Sequence, residues 1–299
     1  MLLPFLKLLT DANRPVSDFV PRFGRQPAEW AWRALGPMKA QGDQSCGVSL
    51  LYVLTGSHFC ELARWALQLR GVPVRVVVLA PGPHLVQLRR LWPALRSSQL
   101  PVWHTGDAVL QGSEQILTHL GYPVQQAAAE ALLNSHIGPL ARQVFYAALS
   151  TNAPAAKAWM QDAYAPGPAW LAAAARRAPR WVAAALLRRE GRQSAELPQL
   201  LHALANACAS LSPLAAAEHA AWAASASPLL SRVALMSAAL LGPVLVPPPA
   251  PWQRAPWSGV ALVPLTDLQR LPLLQLAQAA WQARQAAAPV PAPRSRAVG

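Results

Sequence analysis

Two side chains suited to sulfur chemistry lie three residues apart where an apolar run gives way to a helical pattern. Residues 49–54 favour a strand, and the spacing of apolar residues after them predicts a helix over residues 58–70. Ser57 stands at the N-cap position, where its oxygen can accept a hydrogen bond from a backbone N–H of the first turn. Cys60 follows within that turn. The free N–H groups and the positive end of the helix stabilise an anion such as a thiolate here.

Each of these side chains allows two interpretations. The Ser57 hydroxyl either donates to the sulfur of a thiol substrate and holds it as a thiolate, or only caps its helix. Cys60 either forms a mixed disulfide, as an oxidoreductase would, or is a small buried hydrophobic residue, as free cysteines usually are. We expect His58 to be a surface residue of the first turn rather than a base, because nothing nearby in the sequence orients it.

The pattern around this junction predicts the elements that position it. Strands are predicted at 49–54, 74–79, 101–103 and 108–110, and helices at 58–70, 85–92 and from 113 to about 120. The first strand–helix–strand unit should be parallel and right-handed, and a tight turn at 105–107 joins the last two strands. The order β-α-β-α-β-β-α over 49–120 is the thioredoxin-like arrangement.

The rest of the chain is rich in Ala and Leu and reads as helices separated by prolines. We predict helices at about 126–149, 155–164, 170–177, 180–189, 195–211, 214–224, 229–241 and 271–285. The predicted domains are an N-terminal extension (1–47, partly disordered), a thioredoxin-like domain (48–122), an all-helical domain (123–285) and a disordered Pro/Ala/Arg-rich tail (286–299). The fold class is therefore α/β plus all-α.

The junction motif carries a resemblance to a known family. The run Ser57-His58-Phe59-Cys60, with the helix ending at Arg70-Gly71, is similar to the first strand–helix junction of glutathione S-transferase-like proteins of bacterial type. A small thioredoxin-like domain followed by an all-helical one is also the architecture of that family. The resemblance implies glutathione as a substrate, a small electrophile as its partner and a homodimer.

The same resemblance assigns further residues to the site. Leu100 would pair its backbone with the cysteinyl part of glutathione, and Pro101 would be the cis-proline of the fold. Ser113 would cap its helix and, with the helix N-terminus, hold the γ-glutamyl carboxylate. Gly112 stands where the family usually has an acid, which weakens the expected contact to the γ-glutamyl ammonium. Glu114 points elsewhere on an ideal helix.

Composition limits the other function classes. The chain has 299 residues, of which 53% are apolar and 13% charged, enough for two domains with a substantial core. The net charge of +13 is spread out and accompanies no nucleic-acid motif, so we expect no nucleic-acid partner. The three cysteines show neither paired spacing nor, with His, zinc spacing. This argues against a disulfide framework and a metal site, and favours a reducing, cytoplasmic compartment.

One apolar run raises the question of a membrane span. Residues 229–246 are mostly apolar, but Arg232 and two serines interrupt them, so we expect a buried core helix and no membrane partner. The resembling family places its central helix here and usually begins it with a Ser/Thr-x-x-Asp capping box. The candidate here is Ser227 with Leu230 in place of the Asp, which predicts an incomplete cap.

The sequence therefore predicts a glutathione S-transferase-like protein that conjugates or transfers glutathione to a small electrophile through a stabilised thiolate. The electrophile would lie between the two domains. Two alternatives stay open: a non-catalytic relative that keeps the fold for binding or assembly, and a glutathione-dependent thiol–disulfide oxidoreductase that uses Cys60.

Overall fold

The computed structural model describes residues 49–95, 97, 99–167, 173, 196–224, 230–245 and 267–286. The predicted N-terminal extension at 1–47, the tail from 287 onward and nearly all of the helices predicted at 170–177 and 180–189 lie outside these residues.

The first domain is built on a four-stranded mixed sheet. Its strands are β1 (Ser49–Leu54), β2 (Val74–Leu79), β3 (Val102–His104) and β4 (Val109–Gln111), in the order β2-β1-β3-β4. Strand β1 pairs parallel with β2 and antiparallel with β3, and β4 pairs antiparallel with β3. This is the predicted thioredoxin-like sheet.

Three helices cover this sheet: α1 (His58–Leu69), α2 (Pro83–Leu91) and α3 (Ser113–His119). Successive side chains of a strand point to opposite faces, so β1 supplies both layers of the core. Leu51 and Val53 pack with residues of α1 and α3, whereas Tyr52 packs with Leu88 of α2. The turn after β1 is thereby held in place from both sides.

A helical region follows. Its helices are α4 (Ala127–Leu132), α5 (Gly138–Thr151), α6 (Ala153–Tyr164), α7 (Leu197–Ser210), α8 (Ser212–Ala224), α9 (Arg232–Leu240) and α10 (Pro272–Ala286). A thioredoxin-like domain followed by helices is consistent with the glutathione transferase architecture, and the predicted fold class is confirmed.

The prediction of one continuous helix at 126–149 is wrong in one respect. A π-helical turn at Leu133–Ile137 separates α4 from α5. Pro139, in the first turn of α5, has no N–H to donate to a preceding carbonyl, so the regular α-helical ladder cannot continue through it. Gly138 lies close to this turn, because a Cβ there would come within 3.1 Å of the Leu133 carbonyl oxygen.

Helix α9 lies at the centre of the helical region, with all nine of its residues buried. Its N-cap is Ser231. The predicted cap candidate, Ser227, lies outside the described residues. The Ser231 oxygen accepts a hydrogen bond from the N–H of Ala234 at 3.1 Å. Leu230 before the cap and Leu235 in the next turn belong to one buried cluster, the arrangement of a hydrophobic staple.

None of the described helices is by itself long and apolar enough to cross a membrane. One pair, α7 with α8, meets the length and composition requirement jointly, with a bend of 60° between the two helices.

Helix α1 packs against the sheet on one side and against the helical region on the other, and so connects the two domains. Cys60, Ala63 and Leu67 face the sheet cluster, whereas Leu62 and Trp65 belong to the large cluster formed with the helical region. Ser57, at the start of this helix, therefore lies where the two domains meet.

Candidate active site

The turn from β1 into α1 places Ser57 at the helix N-terminus, as predicted. Its oxygen accepts a hydrogen bond from the Cys60 N–H at 3.4 Å, and its carbonyl accepts from the Glu61 N–H at 3.0 Å. Ser57 is half-buried. The cap uses a lone pair of the hydroxyl oxygen and leaves its O–H free to donate. Ser57 can therefore cap the helix and hold a sulfur anion at the same time.

Cys60 is a buried, neutral thiol. It is 2% exposed, and its sulfur accepts a hydrogen bond from the Leu54 N–H at 3.4 Å. Burial raises the pKa of the thiol from 9.0 to about 12, although the contacts with Ser57 and Leu54 act in the opposite direction. The thiolate is the reactive form of a cysteine, so this environment favours the interpretation of Cys60 as a packing residue.

His58 departs from the expectation of a surface residue. It is 1% exposed, and its Nε2 has no hydrogen-bond partner among the described residues. Burial, aided by the nearby positive charge of Arg142, lowers its pKa well below 6.5. The imidazole is therefore neutral at pH 7. The helical domain covers this first turn, which the local sequence did not reveal.

The second predicted locus lies beside the first. The Leu100–Pro101 peptide bond is cis, as the resemblance implied. Strand β3 begins just after it, with Val102 paired to Tyr52 of β1. The antiparallel register, continued by two residues, would place Leu100 opposite Leu54, three residues before Ser57. The carbonyl of Pro101 accepts the Gly112 N–H at 2.8 Å, which joins the second locus to the third.

At the third locus Gly112 and not Ser113 is the cap of its helix. Gly112 has φ 87° and ψ 150°, a conformation that is essentially restricted to glycine, so an acid at this position would be strained. Ser113 is the first helical residue and is 5% exposed. Glu114 is exposed and accepts a hydrogen bond from Asn134 of the π-helical turn, which directs one of its oxygens towards the helical domain.

Next to the turn before Ser57 the structure places a cluster of three aromatic side chains that the sequence did not predict. Trp159 of α6 packs edge-on to Phe145 and Tyr146 of α5, with ring centroids 5.9 and 6.0 Å apart. Its indole lies against the backbone of Gly56, where a Cβ would come within 2.8 Å of the indole nitrogen. Trp159 of the helical domain thus covers the turn before Ser57. The apolar face of α6 indicated burial of Trp159 but not what it covers.

Charged groups farther along α1 fix this helix against α10. Glu61 accepts hydrogen bonds from Arg64 and from the Trp65 indole. The guanidinium of Arg284 stacks over the Trp65 ring at 4.5 Å and donates to Gln68 at 2.9 Å. Burial lowers the pKa of Arg284 to about 10, so it stays protonated at neutral pH. These contacts hold the helix that carries Ser57.

Two grooves lie away from the predicted site. One, of about 600 Å³, runs between α3 and α4 and includes Glu114, Glu130 and Arg232. The other, of about 250 Å³, lies between α8 and α10. Neither is lined by a predicted site residue. Among the residues that the structure describes, no group of three or more His, Cys, Asp or Glu side chains could hold a metal ion.

The fold and the turn at Ser57 define a class: a thioredoxin-like domain whose first helix N-terminus faces a helical region. Comparison with known families specifies it further. Residues 51–122, from β1 to just beyond α3, match the family model described as glutathione S-transferase, N-terminal domain. The comparisons with curated proteins and with solved structures give no match. The chain thus carries a glutathione S-transferase-like N-terminal domain.

Proposed function

We propose that this protein binds glutathione on its thioredoxin-like domain and transfers it to a small electrophile. Ser57 would donate its O–H to the glutathione sulfur and hold it as a thiolate. The observation that carries the proposal is the position of half-buried Ser57, whose hydroxyl caps α1 at the domain boundary as an acceptor and can still donate its O–H. A bound thiolate there gains from the Ser57 hydrogen bond and from the positive helix end.

The remaining contacts to glutathione follow from the other two loci. Leu100, before the cis-proline Pro101, would pair its backbone with the cysteinyl unit. Ser113 and the N–H groups around it would hold the γ-glutamyl carboxylate. The hydrogen bond from Gly112 to Pro101 fixes the distance between these two loci. Gly112 offers no carboxylate to the γ-glutamyl ammonium, so we expect weaker binding than an acid at this position would give.

The electrophile would enter from the side of the helical domain, next to Ser57. Tyr146 of α5, which is half-buried, packs against Trp159, whose indole lies beside the turn before Ser57. An aromatic side chain such as Tyr146 favours a flat or apolar electrophile. We further propose a homodimer in a reducing, cytoplasmic compartment. Sedimentation velocity of the purified chain tests the dimer.

Calorimetric titration with glutathione tests the proposed function. We expect binding by the wild-type chain and turnover of a model electrophile. Ser57→Ala should keep the fold but lose at least about tenfold in turnover, because a charge-assisted hydrogen bond to the thiolate is removed. Ser231→Ala, which removes the equivalent cap from α9, is the matched control and should retain turnover. Absence of glutathione binding by the wild-type chain would overturn the proposal.

A second candidate function is a non-catalytic binding or assembly protein with the same fold. Two observations favour it: Gly112 supplies no carboxylate, and the indole of Trp159 is packed against the turn before Ser57. This candidate predicts no turnover with any electrophile, whether or not glutathione binds. The thiol–disulfide alternative has less support, because burial keeps the Cys60 thiol protonated.

A further inference from the structure

The indole N–H of Trp159 is a buried donor without an acceptor. The side chain is 2% exposed, and Nε1 has no hydrogen-bond partner among the described residues. Buried donors are nearly always paired in native proteins, because leaving one unpaired costs the full desolvation of the group. An unpaired buried N–H therefore requires an explanation, and a role as donor to a bound molecule is one.

The position of this donor points to the candidate active site. At Gly56, the residue before Ser57, an added Cβ would lie 2.8 Å from Nε1 and 3.1 Å from Cζ2 of the indole. The nitrogen edge of the ring thus faces the turn that leads into α1. Gly56 also has φ 85°, so both its backbone conformation and the close indole favour glycine. A glycine at this position thus allows the indole nitrogen to lie close to the turn.

We infer that the indole N–H of Trp159 is a second hydrogen-bond donor to the glutathione sulfur, in addition to the Ser57 hydroxyl. The inference rests on the proposed function and assigns a residue of the helical domain to the same site. On binding, the glutathione thiol releases its proton to solvent, and the sulfur anion accepts from the Ser57 O–H and the Trp159 N–H. The helical domain then helps to stabilise the thiolate, in addition to contacting the electrophile.

The variant Trp159→Phe tests this inference because it keeps an aromatic ring and removes the N–H. The thiol pKa of bound glutathione is measured from the ultraviolet absorbance of the thiolate as a function of pH. We expect the variant to raise that pKa by about one unit, since a hydrogen bond to an anion is lost. Binding of S-methylglutathione, which has no thiolate, should stay within about twofold of the wild type. Trp222→Phe on α8 is the matched control and should leave the pKa unchanged.

The outcomes separate the inference from the proposed function. An unchanged thiol pKa in a folded Trp159→Phe variant that still binds glutathione would overturn the inference and leave the proposed function standing. Absence of glutathione binding by the wild-type chain would overturn both.

A measurement on the wild-type chain keeps the inference testable if the variant does not fold. The indole N–H of Trp159, assigned from through-bond NMR spectra, should shift downfield when glutathione is added. It should move much less with the analogue that has serine in place of cysteine, because that analogue forms no anion. Equal shifts with both peptides would overturn the inference.

Discussion

Helices α1 and α9 begin in nearly the same way, yet their surroundings differ. Ser57 caps α1 by accepting the Cys60 N–H at 3.4 Å, and Ser231 caps α9 by accepting the Ala234 N–H at 3.1 Å. Both serines are half-buried, and each is followed by a buried polar residue. At α9 that residue is Arg232, whose Nε lies 2.8 Å from Glu130 and whose Nη1 donates to the Tyr122 carbonyl.

At α1 the corresponding polar groups are left unmatched. The Nε2 of His58 and the Nε1 of Trp159 have no partner in the described part of the chain. The charge at the start of α9 is thus neutralised by an ion pair with Glu130, whereas the buried polar groups near the start of α1 face no charged partner in the described part of the chain. Since native proteins rarely leave such groups unpaired, the comparison teaches that a helix start with unmatched neighbours is the better candidate for a site.

The largest expected effect is at the α9 start. Arg232→Met leaves the carboxylate of Glu130 buried without its charge partner, which should cost about 3–5 kcal/mol of unfolding free energy. Urea unfolding followed by circular dichroism measures it. The double variant Arg232→Met with Glu130→Leu should recover much of this loss, because neither charge remains. A loss below about 1 kcal/mol in the single variant would show that the Arg232–Glu130 ion pair contributes no more to stability than an exposed pair does.

The next prediction concerns the stability of variants at Gly56, and it separates steric contact with Trp159 from backbone strain. Gly56→Ala combines a positive φ with a Cβ 2.8 Å from the Trp159 indole, so we expect a loss of about 2–4 kcal/mol. Gly121→Ala is the matched control: its φ is 73°, but nothing lies within 4 Å of the added Cβ. It should cost only about 1 kcal/mol. Equal losses in urea unfolding would mean that the indole does not press on the turn.

A third prediction compares the thiol of α1 with a thiol of the helical core. Burial raises the pKa of Cys60 and of Cys208 to about 12 each, from 9.0. Above pH 9 the unfolded chain releases protons that the folded chain keeps. Stability is therefore full below pH 9 and falls as the pH rises towards 12, by about 1.4 kcal/mol per pH unit for each thiol.

Unfolding free energies measured at about pH 8 and about pH 10 check this prediction. Cys60→Ala and Cys208→Ala should each reduce the decrease in unfolding free energy between these two pH values, and by a similar amount. If only Cys208→Ala did so, the Cys60 thiol would ionise in the folded protein as readily as in the unfolded chain. The oxidoreductase alternative would then regain support.

The sequence was sufficient where short-range rules decide the structure. The strand and helix around Ser57 followed from an apolar run, a capping residue and helical spacing. The cis bond at Pro101 came from the family resemblance, not from the residues alone. The π-helical turn before Pro139 was missed, because the apolar pattern continues across it and only the missing N–H of the proline marks the break.

The sequence was not sufficient where distant elements meet. His58 was expected at the surface, since nothing in its own helix predicts that the helical domain will cover it. Trp159 lies about one hundred residues after Gly56, and its helical pattern shows only that one face of α6 is apolar. The cap of α9 was placed at Ser227 because the family's capping-box pattern was followed. Ser231 is also a residue type that favours the N-cap position, and its oxygen accepts the Ala234 N–H.

The smallest effect on stability is also the sharpest test of the comparison. Ser57→Ala and Ser231→Ala each remove one capping oxygen, so each should cost about 1 kcal/mol in urea unfolding. Their effects on the thiol pKa of bound glutathione should differ. Ser57→Ala should raise the thiol pKa of the bound peptide by one to two units, about the value of a charge-assisted hydrogen bond, and Ser231→Ala should not change it. If both variants left that pKa unchanged while glutathione still bound, Ser57 would be a cap like Ser231, and the two helix starts would differ only in packing.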